Sequence, residues 1–445
     1  MTDGPQDPPP TPVPATATHV GEVRARWAWT EPVVWTERML TALETGVKGG
    51  RWFSLVDKVY ALPTLRAAFA CVKANRGAAG VDHQTIAMYE TRLEANLTEV
   101  STQLRTATYR PNGIRRHWIP KPGTADRRPL GIPTVRDRVV QTALRLVLEP
   151  IFEREFATHS YGFRPQRGAK DALRRVDALL SGGYVHVVDA DLQAYFDSIP
   201  HAALRARVQT KISDGRVLAL LDAFLGQEIF DGLTHWTPEE GTPQGAVISP
   251  LLSNIYLDPL DHVMAAAGFE MVRYADDFVV LCRTTAEAER AMDALRRWTD
   301  AAGLRLHPHK TRLVDARHPG GFEFLGYHFE RGYRWPRPKS VATLKGTLRQ
   351  KTRRTHGDSL AVIIDDVNRT IRGWFGYFKH SHRTAFGRID EWVRMRLRSL
   401  LRKRAGRRGR SRGADHQRWP NRFFTEQGLF SLVAAHATAV SPQVR

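Results

Sequence analysis

Residues 269–283 read Phe-Glu-Met-Val-Arg-Tyr-Ala-Asp-Asp-Phe-Val-Val-Leu-Cys-Arg, with two adjacent acids between runs rich in β-branched and aromatic residues. This pattern predicts a β-hairpin that carries Asp276 and Asp277 at its turn. Carboxylates at a hairpin tip are suitable ligands for Mg²⁺, which prefers oxygen. The chain has a second pair, Asp365-Asp366, in a helical pattern without flanking strands. An Asp pair alone is therefore equally consistent with an exposed polar turn.

A third acid, Asp191, follows a predicted strand over residues 184–188, which ends where Asp189 and Asp191 emerge. Two-metal phosphoryl transfer needs carboxylates that converge from separate strands, with the ions about 3.5–4 Å apart. A strand-end Asp beside a hairpin-tip Asp pair would supply that arrangement. Taken alone, Asp191 is equally typical of a helix cap after a strand, so its neighbouring motifs decide between the two interpretations.

Those motifs resemble the palm motifs of reverse transcriptases: residues 191–196, Tyr274-Ala-Asp-Asp277 and Gly241-Thr-Pro-Gln-Gly245. More narrowly, the chain resembles the reverse transcriptase/maturases encoded by bacterial group II introns, from about residue 65 to about residue 432. Further matching motifs follow in the expected order: Asn75-Arg-Gly-Ala-Ala-Gly-Val-Asp82, Arg128-Pro-Leu-Gly-Ile-Pro-Thr134, Ser160-Tyr-Gly-Phe-Arg-Pro165, Leu306-His-Pro-His-Lys-Thr311 and Phe322-Glu-Phe-Leu-Gly-Tyr327. The resemblance implies an α+β fold: a right-hand polymerase with fingers and palm, followed by a C-terminal helical thumb/maturase domain.

Composition is consistent with a nucleic-acid partner. The 445 residues carry a formal net charge of +20, and the pI is near 10.4. Arginine, which forms bidentate and stacked contacts with phosphates and bases, far outnumbers lysine. The two cysteines, Cys71 and Cys282, exclude a disulfide framework and a Cys-rich zinc module. No signal peptide, lipidation site or membrane-length apolar run is present, so we expect a cytoplasmic protein without a membrane partner.

The chain divides into five predicted segments. A Pro/Thr/Ala-rich start, most pronounced up to about Ala17, predicts a disordered tail over residues 1–32. By resemblance, residues 33–175 are the fingers with an N-terminal extension, and residues 176–335 are the palm. Apolar residues at helical spacing predict packed helices in the thumb/maturase domain, residues 340–432, and residues 433–445 are a C-terminal tail. Because no cysteine or cluster of zinc ligands follows Leu432, we expect an endonuclease-less form, which implies a nascent or nicked DNA strand as primer.

The resemblance assigns roles in nucleotidyl transfer. Asp191 and Asp276 are the expected ligands of a two-Mg²⁺ site, Asp277 is an ancillary member of the cluster, and Lys310 protonates the leaving pyrophosphate. The expected nucleotide-binding residues are Lys121 and Arg128 at the triphosphate, Phe196 as a steric gate against ribonucleotides, and Gln244 and Gly245 beside the nucleotide and template. The alternatives are a buried core position for Phe196 and a plain surface position for Lys310.

The face of the second predicted thumb helix opposite its apolar stripe begins a run of basic residues, Arg394 to Arg412, without an intervening acid. Like charges at helical neighbour spacing repel, so a one-sided run indicates an anionic partner. We expect contacts with RNA phosphates, with a solvated face as the alternative. The predicted RNA-binding residues are Arg402, Lys403, Arg404, Arg407, Arg408 and Arg410.

These features predict an RNA-directed DNA polymerase encoded by a group II intron. It would copy intron RNA into DNA for retrohoming and bind the intron RNA to assist splicing, as a maturase does. Its expected partners are the intron RNA, an RNA template with a DNA primer or target, and deoxynucleotide triphosphates. Two alternatives remain open: a domesticated reverse transcriptase in defence or repair, and an RNA-binding splicing factor without polymerase activity.

Overall fold

The structure, a computed structural model, describes residues 20–120, 127–409 and 412–440. The α-helices are α1 (Val20–Arg26), α2 (Glu37–Thr45), α3 (Val56–Tyr60), α4 (Leu62–Asn75), α5 (Ile86–Glu90), α6 (Leu93–Arg105), α7 (Val135–Glu153), α8 (Ala169–Ser181), α9 (His201–Gln209), α10 (Gly215–Leu225), α11 (Ser249–Ala266), α12 (Thr285–Ala301), α13 (Pro338–Lys351), α14 (Leu360–Phe378), α15 (Thr384–Arg404), α16 (Gly413–Arg418), α17 (Asn421–Glu426) and α18 (Leu432–Val440). Short 3₁₀-helices cover Lys48–Gly50 and Tyr195–Asp197. None of the described helices is both long and apolar enough to cross a membrane.

The strands form three sheets. They are β1 (Ile114–Pro120), β2 (Arg127–Ile132), β3 (His186–Asp191), β4 (Ile229–Asp231), β5 (Thr234–Trp236), β6 (Glu270–Tyr274), β7 (Asp277–Cys282), β8 (Arg312–Asp315), β9 (Phe322–Phe324), β10 (Tyr327–Glu330) and β11 (Tyr333–Pro336). The sheet orders are β2-β1-β4-β5, β6-β7-β3-β8 and β11-β10-β9. Helices thus occur together with mainly antiparallel sheets, as the α+β prediction requires.

The elements group into two units that are discontinuous in sequence. The described part of the first unit comprises residues 20–112, 134–155 and 205–224, and the remaining described residues form the second. Residues 113–133, placed with the fingers by prediction, fall in the second unit because β1 pairs with β4. Residues 205–224, placed with the palm, fall in the first unit, where Phe224 packs on Tyr109. The predicted boundary at residue 175 is therefore not a boundary between the two units.

In the first unit, a buried carboxylate ties the segment before the first sheet to α7. Asp137 accepts hydrogen bonds from the Tyr109 hydroxyl at 2.6 Å and from the Asn112 backbone N–H at 3.0 Å. Thr134 caps the helix by accepting from the Asp137 N–H. Burial raises the pKa of Asp137, and these donors oppose that rise.

In the second unit, the sheet β6-β7-β3-β8 is antiparallel throughout. β7 is buried from Phe278 to Cys282 because it lies between two other strands and is covered by helices. The predicted hairpin is confirmed: β6 and β7 pair up to Tyr274 opposite Asp277. The predicted strand at residues 184–188 is confirmed as β3, which runs on to Asp191.

The two predicted core-facing thumb helices are also confirmed, as α14 and α15. Their apolar stripes pack together with residues from α13, α17 and α18 in one core, which includes Leu344, Val367, Ile371, Phe386, Leu397 and Phe424. The second Asp pair, Asp365-Asp366, lies in α14 as predicted. Phe378, at the end of α14, packs into the palm core instead.

Both predicted tails are wrong in part. Helix α1 lies within residues 1–32, where Trp27 is buried and donates to Glu44 at 2.7 Å. At the other end, α18 extends to Val440. Asp390 accepts from the backbone N–H groups of Leu432 and Val433 at the start of this helix, so a distant carboxylate stabilises the helix terminus. Residues 1–19 and 441–445 lie outside the described residues.

Candidate active site

The β6–β7 turn brings the three predicted acids to one end of the central sheet. Asp191, the last residue of β3, is the register partner of Asp277, the first residue of β7. Asp276 stands in the turn itself, after Ala275, whose φ of +61° is left-handed. A left-handed conformation is uncommon for a residue with a side chain, so surrounding contacts must hold this turn in place.

Arg273 supplies those contacts. Its guanidinium is completely buried and binds Asp261 of α11, with Nε at 2.8 Å from Oδ1. Its Nη1 donates to Asn254 Oδ1 and to the Ala275 carbonyl, both at 2.9 Å. Asn254 in turn donates to the Gly162 carbonyl at 2.8 Å. Arg273 was not among the predicted site residues, although a charged residue within an apolar strand is itself a signal.

Gly162 explains why the Ser-Tyr-Gly-Phe-Arg-Pro motif meets this turn. A Cβ at residue 162 would lie 2.2 Å from the Ala275 nitrogen and 2.7 Å from the Tyr274 carbonyl carbon. Only glycine permits so close an approach of two backbones. The motif at residues 160–165 therefore supports the acidic turn from outside the hairpin.

Burial and neighbouring carboxylates raise the pKa values of two of the three acids, Asp276 and Asp277. Burial raises the pKa of Asp276, and nearby Asp191 raises it further. Burial, with Asp276 and Asp189 next in effect, raises the pKa of Asp277 to about 7. Both shifts come first from burial, and neighbouring negative charge adds to them. Oxygen ligands with excess negative charge fit a hard divalent cation.

Lys310 compensates part of that charge. Its Nζ lies 2.5 Å from Asp191 Oδ2, and the backbone N–H of His307 donates to the Asp191 carbonyl at 2.7 Å. The loop after residue 306 is thus tied to the end of β3. Among the described residues, no three His, Cys, Asp or Glu side chains lie close enough together to hold a metal ion in the arrangement that the structure shows.

Phe196 is half-buried and lies in the 3₁₀-helix that follows Asp191. Its ring packs edge-on against Tyr195 at 5.5 Å and Phe163 at 6.3 Å between centroids. Phe163 is itself 45% exposed, so this side of Phe196 borders solvent. The position is compatible with a ring that faces a substrate, and it differs from that of a fully buried core residue.

The Pro-Gln-Gly turn lies against β2. The Gly131 N–H donates to the Gln244 carbonyl at 2.5 Å, and the Gln244 side chain donates to Asp197 at 3.4 Å. Gly245 has a φ of +106°, and a Cβ there would lie 2.4 Å from the Gly131 oxygen. Glycine is therefore required at this position both for its backbone conformation and for the approach to β2.

Arg128 of β2 also lies near the acids, since its charge lowers the pKa of Asp276 against the effect of burial. Arg128 lines a cleft of about 750 Å³ together with Ile119, Arg337, Lys339 and Trp374. The structure thus brings Asp191, Asp276, Asp277 and Lys310 together, with Arg128 within electrostatic range. Lys121, the other predicted triphosphate ligand, lies outside the described residues.

The basic run at the end of α15 and after it has more intramolecular partners than its sequence indicates. Arg402 forms a 2.8 Å ion pair with Asp415, whose side chain is completely buried. Arg404 donates to the backbone carbonyls of His356 and Asp358. Both arginines therefore have partners within the protein, from distant positions in the sequence, and their assignment to RNA stays a prediction.

Three predicted RNA-binding residues remain exposed: Lys403, Arg407 and Arg408. None of the three forms an ion pair with another described residue within 4 Å, so their charges are available to a ligand. Arg410 lies outside the described residues. The basic surface, defined here as Lys403, Arg407 and Arg408, is smaller than the predicted set.

Comparisons with known proteins find related sequences. The family profile described as "Reverse transcriptase (RNA-dependent DNA polymerase)" matches residues 119–329, and "Group II intron, maturase-specific domain" matches residues 341–419. "Protein YkfC" of Escherichia coli (strain K12) is 32% identical over 69% of this chain and 86% of YkfC. "Group II intron-encoded protein LtrA" of Lactococcus lactis subsp. cremoris is 38% identical over 38% of this chain and 28% of LtrA. A chain of the solved "Partial Cas6-RT-Cas1--Cas2 complex" is 25% identical with a TM-score of 0.37, covering 56% of this chain and 41% of that one.

Proposed function

The chain belongs to the family of reverse transcriptases and maturases encoded by group II introns. On that premise, we propose that it copies intron RNA into DNA and that Asp191, Asp276 and Asp277 are its catalytic acids. One observation carries the assignment of these residues. Asp191 and Asp277 are register partners on adjacent strands, with Asp276 in the turn beside them. The raised pKa values of Asp276 and Asp277, caused by burial and then by neighbouring carboxylates, support a role in binding cations.

In this proposal, Asp191 and Asp276 each contribute carboxylate oxygens to Mg²⁺, and Asp277 holds negative charge behind them. Two bound Mg²⁺ ions supply Lewis-acid stabilisation to the attacking and leaving oxygens. The primer 3′-hydroxyl oxygen attacks the α-phosphorus of a deoxynucleotide as the bond to pyrophosphate breaks. Arg128 offsets triphosphate charge, with Lys121 as its expected partner.

Lys310 has two roles in this scheme. Without substrate it neutralises Asp191, at 2.5 Å. During the reaction its ammonium would be the general acid that donates a proton to the leaving pyrophosphate. Phe196 limits the space beneath the sugar, while Gln244 and Gly245 border the nucleotide and template.

The helical C-terminal part supports a second activity on the same RNA. Its match to the maturase-specific profile covers α13 to α16, and the basic surface lies within that range. We assign Lys403, Arg407 and Arg408 to intron RNA phosphates and include splicing assistance in the function. The intron RNA, the primer and the deoxynucleotides are the proposed partners.

A primer-extension assay with Mg²⁺ on an RNA template tests the catalytic assignment. Asp276→Ala should reduce extension by at least about one hundred-fold, since losing a metal ligand removes several kcal/mol of transition-state stabilisation. Asp365→Ala is the matched control, because Asp365 also belongs to an Asp pair but is exposed on α14. Extension by Asp276→Ala at the level of the Asp365→Ala control would refute the metal role.

A further inference from the structure

A pocket of about 550 Å³ lies away from the acids, in the same unit. We call it the aromatic pocket and define it by Tyr333, Arg334, His380, His382, Arg383 and His436, which are among its lining residues. It also contacts Val185, just before β3, whereas Asp191 ends that strand. β3 has six residues and is therefore about 16 Å long. The aromatic pocket lies at its start and the catalytic acids lie at its end, so the two sites are distinct.

The rim of the aromatic pocket carries an exposed aromatic ring with fixed neighbours. Tyr333 is 56% exposed, and its ring packs on His382 in a T-shaped arrangement, with 4.8 Å between centroids. Trp335 packs on the same histidine at 5.7 Å. Thr384 Oγ1 lies 3.3 Å from Trp335 Nε1 and 2.9 Å from His382 Nδ1, so hydrogen bonds hold both rings in place. Pre-positioned rings that leave one face open are the basis of stacking platforms for nucleic-acid bases.

The surroundings of the aromatic pocket are cationic. Burial lowers the pKa of His380, and four cations lower it further: Arg334, Lys379, Lys170 and Arg174. The acids that line the pocket already have partners. Asp177 pairs with Arg334, and Glu330 accepts from the Gly320 N–H at 3.0 Å and interacts with His328 at 3.3 Å. Their charges are therefore largely compensated, and the pocket is suited to an anion.

Arg383 completes the arrangement. It is exposed, lines the pocket next to His382, and forms no ion pair with another described residue. An arginine in this position can donate two hydrogen bonds to a phosphate. The volume of the pocket also lies within the range of about 300–1,000 Å³ that is usual for small-molecule sites.

We propose that the aromatic pocket binds one unpaired nucleotide of single-stranded RNA, with the base stacked on Tyr333 and a phosphate at Arg383. The choice of RNA as the ligand rests on the proposed function. The exposed ring of Tyr333 and the exposed Arg383 are observed independently of that function. Bases that are splayed out of a helix are commonly held by aromatic and arginine side chains in this way. The aromatic pocket would thus bind RNA strand that is not engaged at the catalytic acids.

Equilibrium binding of a short, labelled, single-stranded RNA tests this proposal. Tyr333→Ala should weaken binding about five-fold or more, which is the lower range for removal of one base–aromatic stack, whereas Tyr333→Trp should retain it. Arg383→Ala should weaken binding and reduce the log–log salt slope by up to about one unit. The matched controls are Phe53→Ala, at an aromatic 72% exposed in the other unit, and Arg388→Ala, at an exposed arginine of α15 outside the pocket lining.

A 4-thiouridine crosslink locates the contact independently. Irradiation of the wild-type complex should attach RNA to the β11 peptide that contains Tyr333, and Tyr333→Ala should abolish that adduct. Unchanged affinity in Tyr333→Ala, a weakening that Phe53→Ala reproduces, or adducts that map only elsewhere would each overturn the proposal.

Primer extension on a short, pre-annealed substrate separates this inference from the proposed function. Tyr333→Ala should extend such a substrate like the wild type. If the wild type extends but Tyr333→Ala binds single-stranded RNA normally, only the aromatic pocket is refuted. If the wild type binds RNA through Tyr333 but fails to extend, only the polymerase assignment is refuted.

Discussion

Phe196 makes the most direct prediction at the scale of a single residue. Its ring is half-buried between Tyr195 and Phe163, so truncation opens space without removing a fully buried core residue. Phe196→Ala should lower the selectivity for deoxynucleotides over ribonucleotides about ten-fold or more, because a steric exclusion is released. Extension with each type of nucleotide by wild type and variant measures that ratio.

The control for Phe196 is its neighbour. Phe163→Ala removes the same kind of ring from an exposed position beside it. If both variants change the selectivity ratio equally, the effect comes from packing of the aromatic pair. A selectivity change confined to Phe196→Ala would support the gate.

At the scale of an element, the β6–β7 hairpin depends on one buried ion pair. Arg273→Met would leave the Asp261 carboxylate buried without its counter-charge and the Ala275 carbonyl without its donor. Breaking a buried pair in this way should destabilise the fold by about 3–5 kcal/mol. Denaturant unfolding, followed by a spectroscopic signal, measures the change.

Arg312→Met is the matched control in the same sheet. Arg312 pairs with Asp189 at 3.2 Å, but its side chain is about half exposed, at 48%. Because the Arg312 side chain is half in solvent, its loss should cost less than the loss of the fully buried Arg273. Equal destabilisation by the two variants would contradict the view that the buried network fixes the hairpin.

At the scale of the whole molecule, the net charge of +20 should appear as a steep salt dependence of RNA binding. Replacing Lys403, Arg407 and Arg408 together by glutamine should flatten the log–log salt slope by up to roughly three units, because each cation that neutralises a phosphate accounts for about one unit. Arg402→Gln should instead lower thermal stability, since it leaves buried Asp415 without its ion pair. A salt titration and a melting curve on both variants distinguish the two roles, and an unchanged slope in the triple variant would make the basic surface a solvated face.

The sequence alone was sufficient to predict those parts of the molecule whose pattern is local. The β6–β7 hairpin, the end of β3 and the apolar faces of α14 and α15 are each set by alternation or helical spacing within some twenty residues. The acidic motif with its ordered neighbours was sufficient to identify the family. Local pattern carries this information because secondary structure and motif order are properties of neighbouring residues.

Only the tertiary structure revealed which partners distant charges find. The sequence predicted an unpaired Arg402 because its partner, Asp415, lies thirteen residues later. It predicted a tail in place of α18 because Asp390, which caps this helix, lies more than forty residues earlier. Arg273 joins α11, the turn and the segment at Gly162 through hydrogen bonds that no spacing rule predicts. A charged side chain has the same appearance in a sequence whether water or a buried carboxylate satisfies it, and the free-energy difference between these environments arises only from burial.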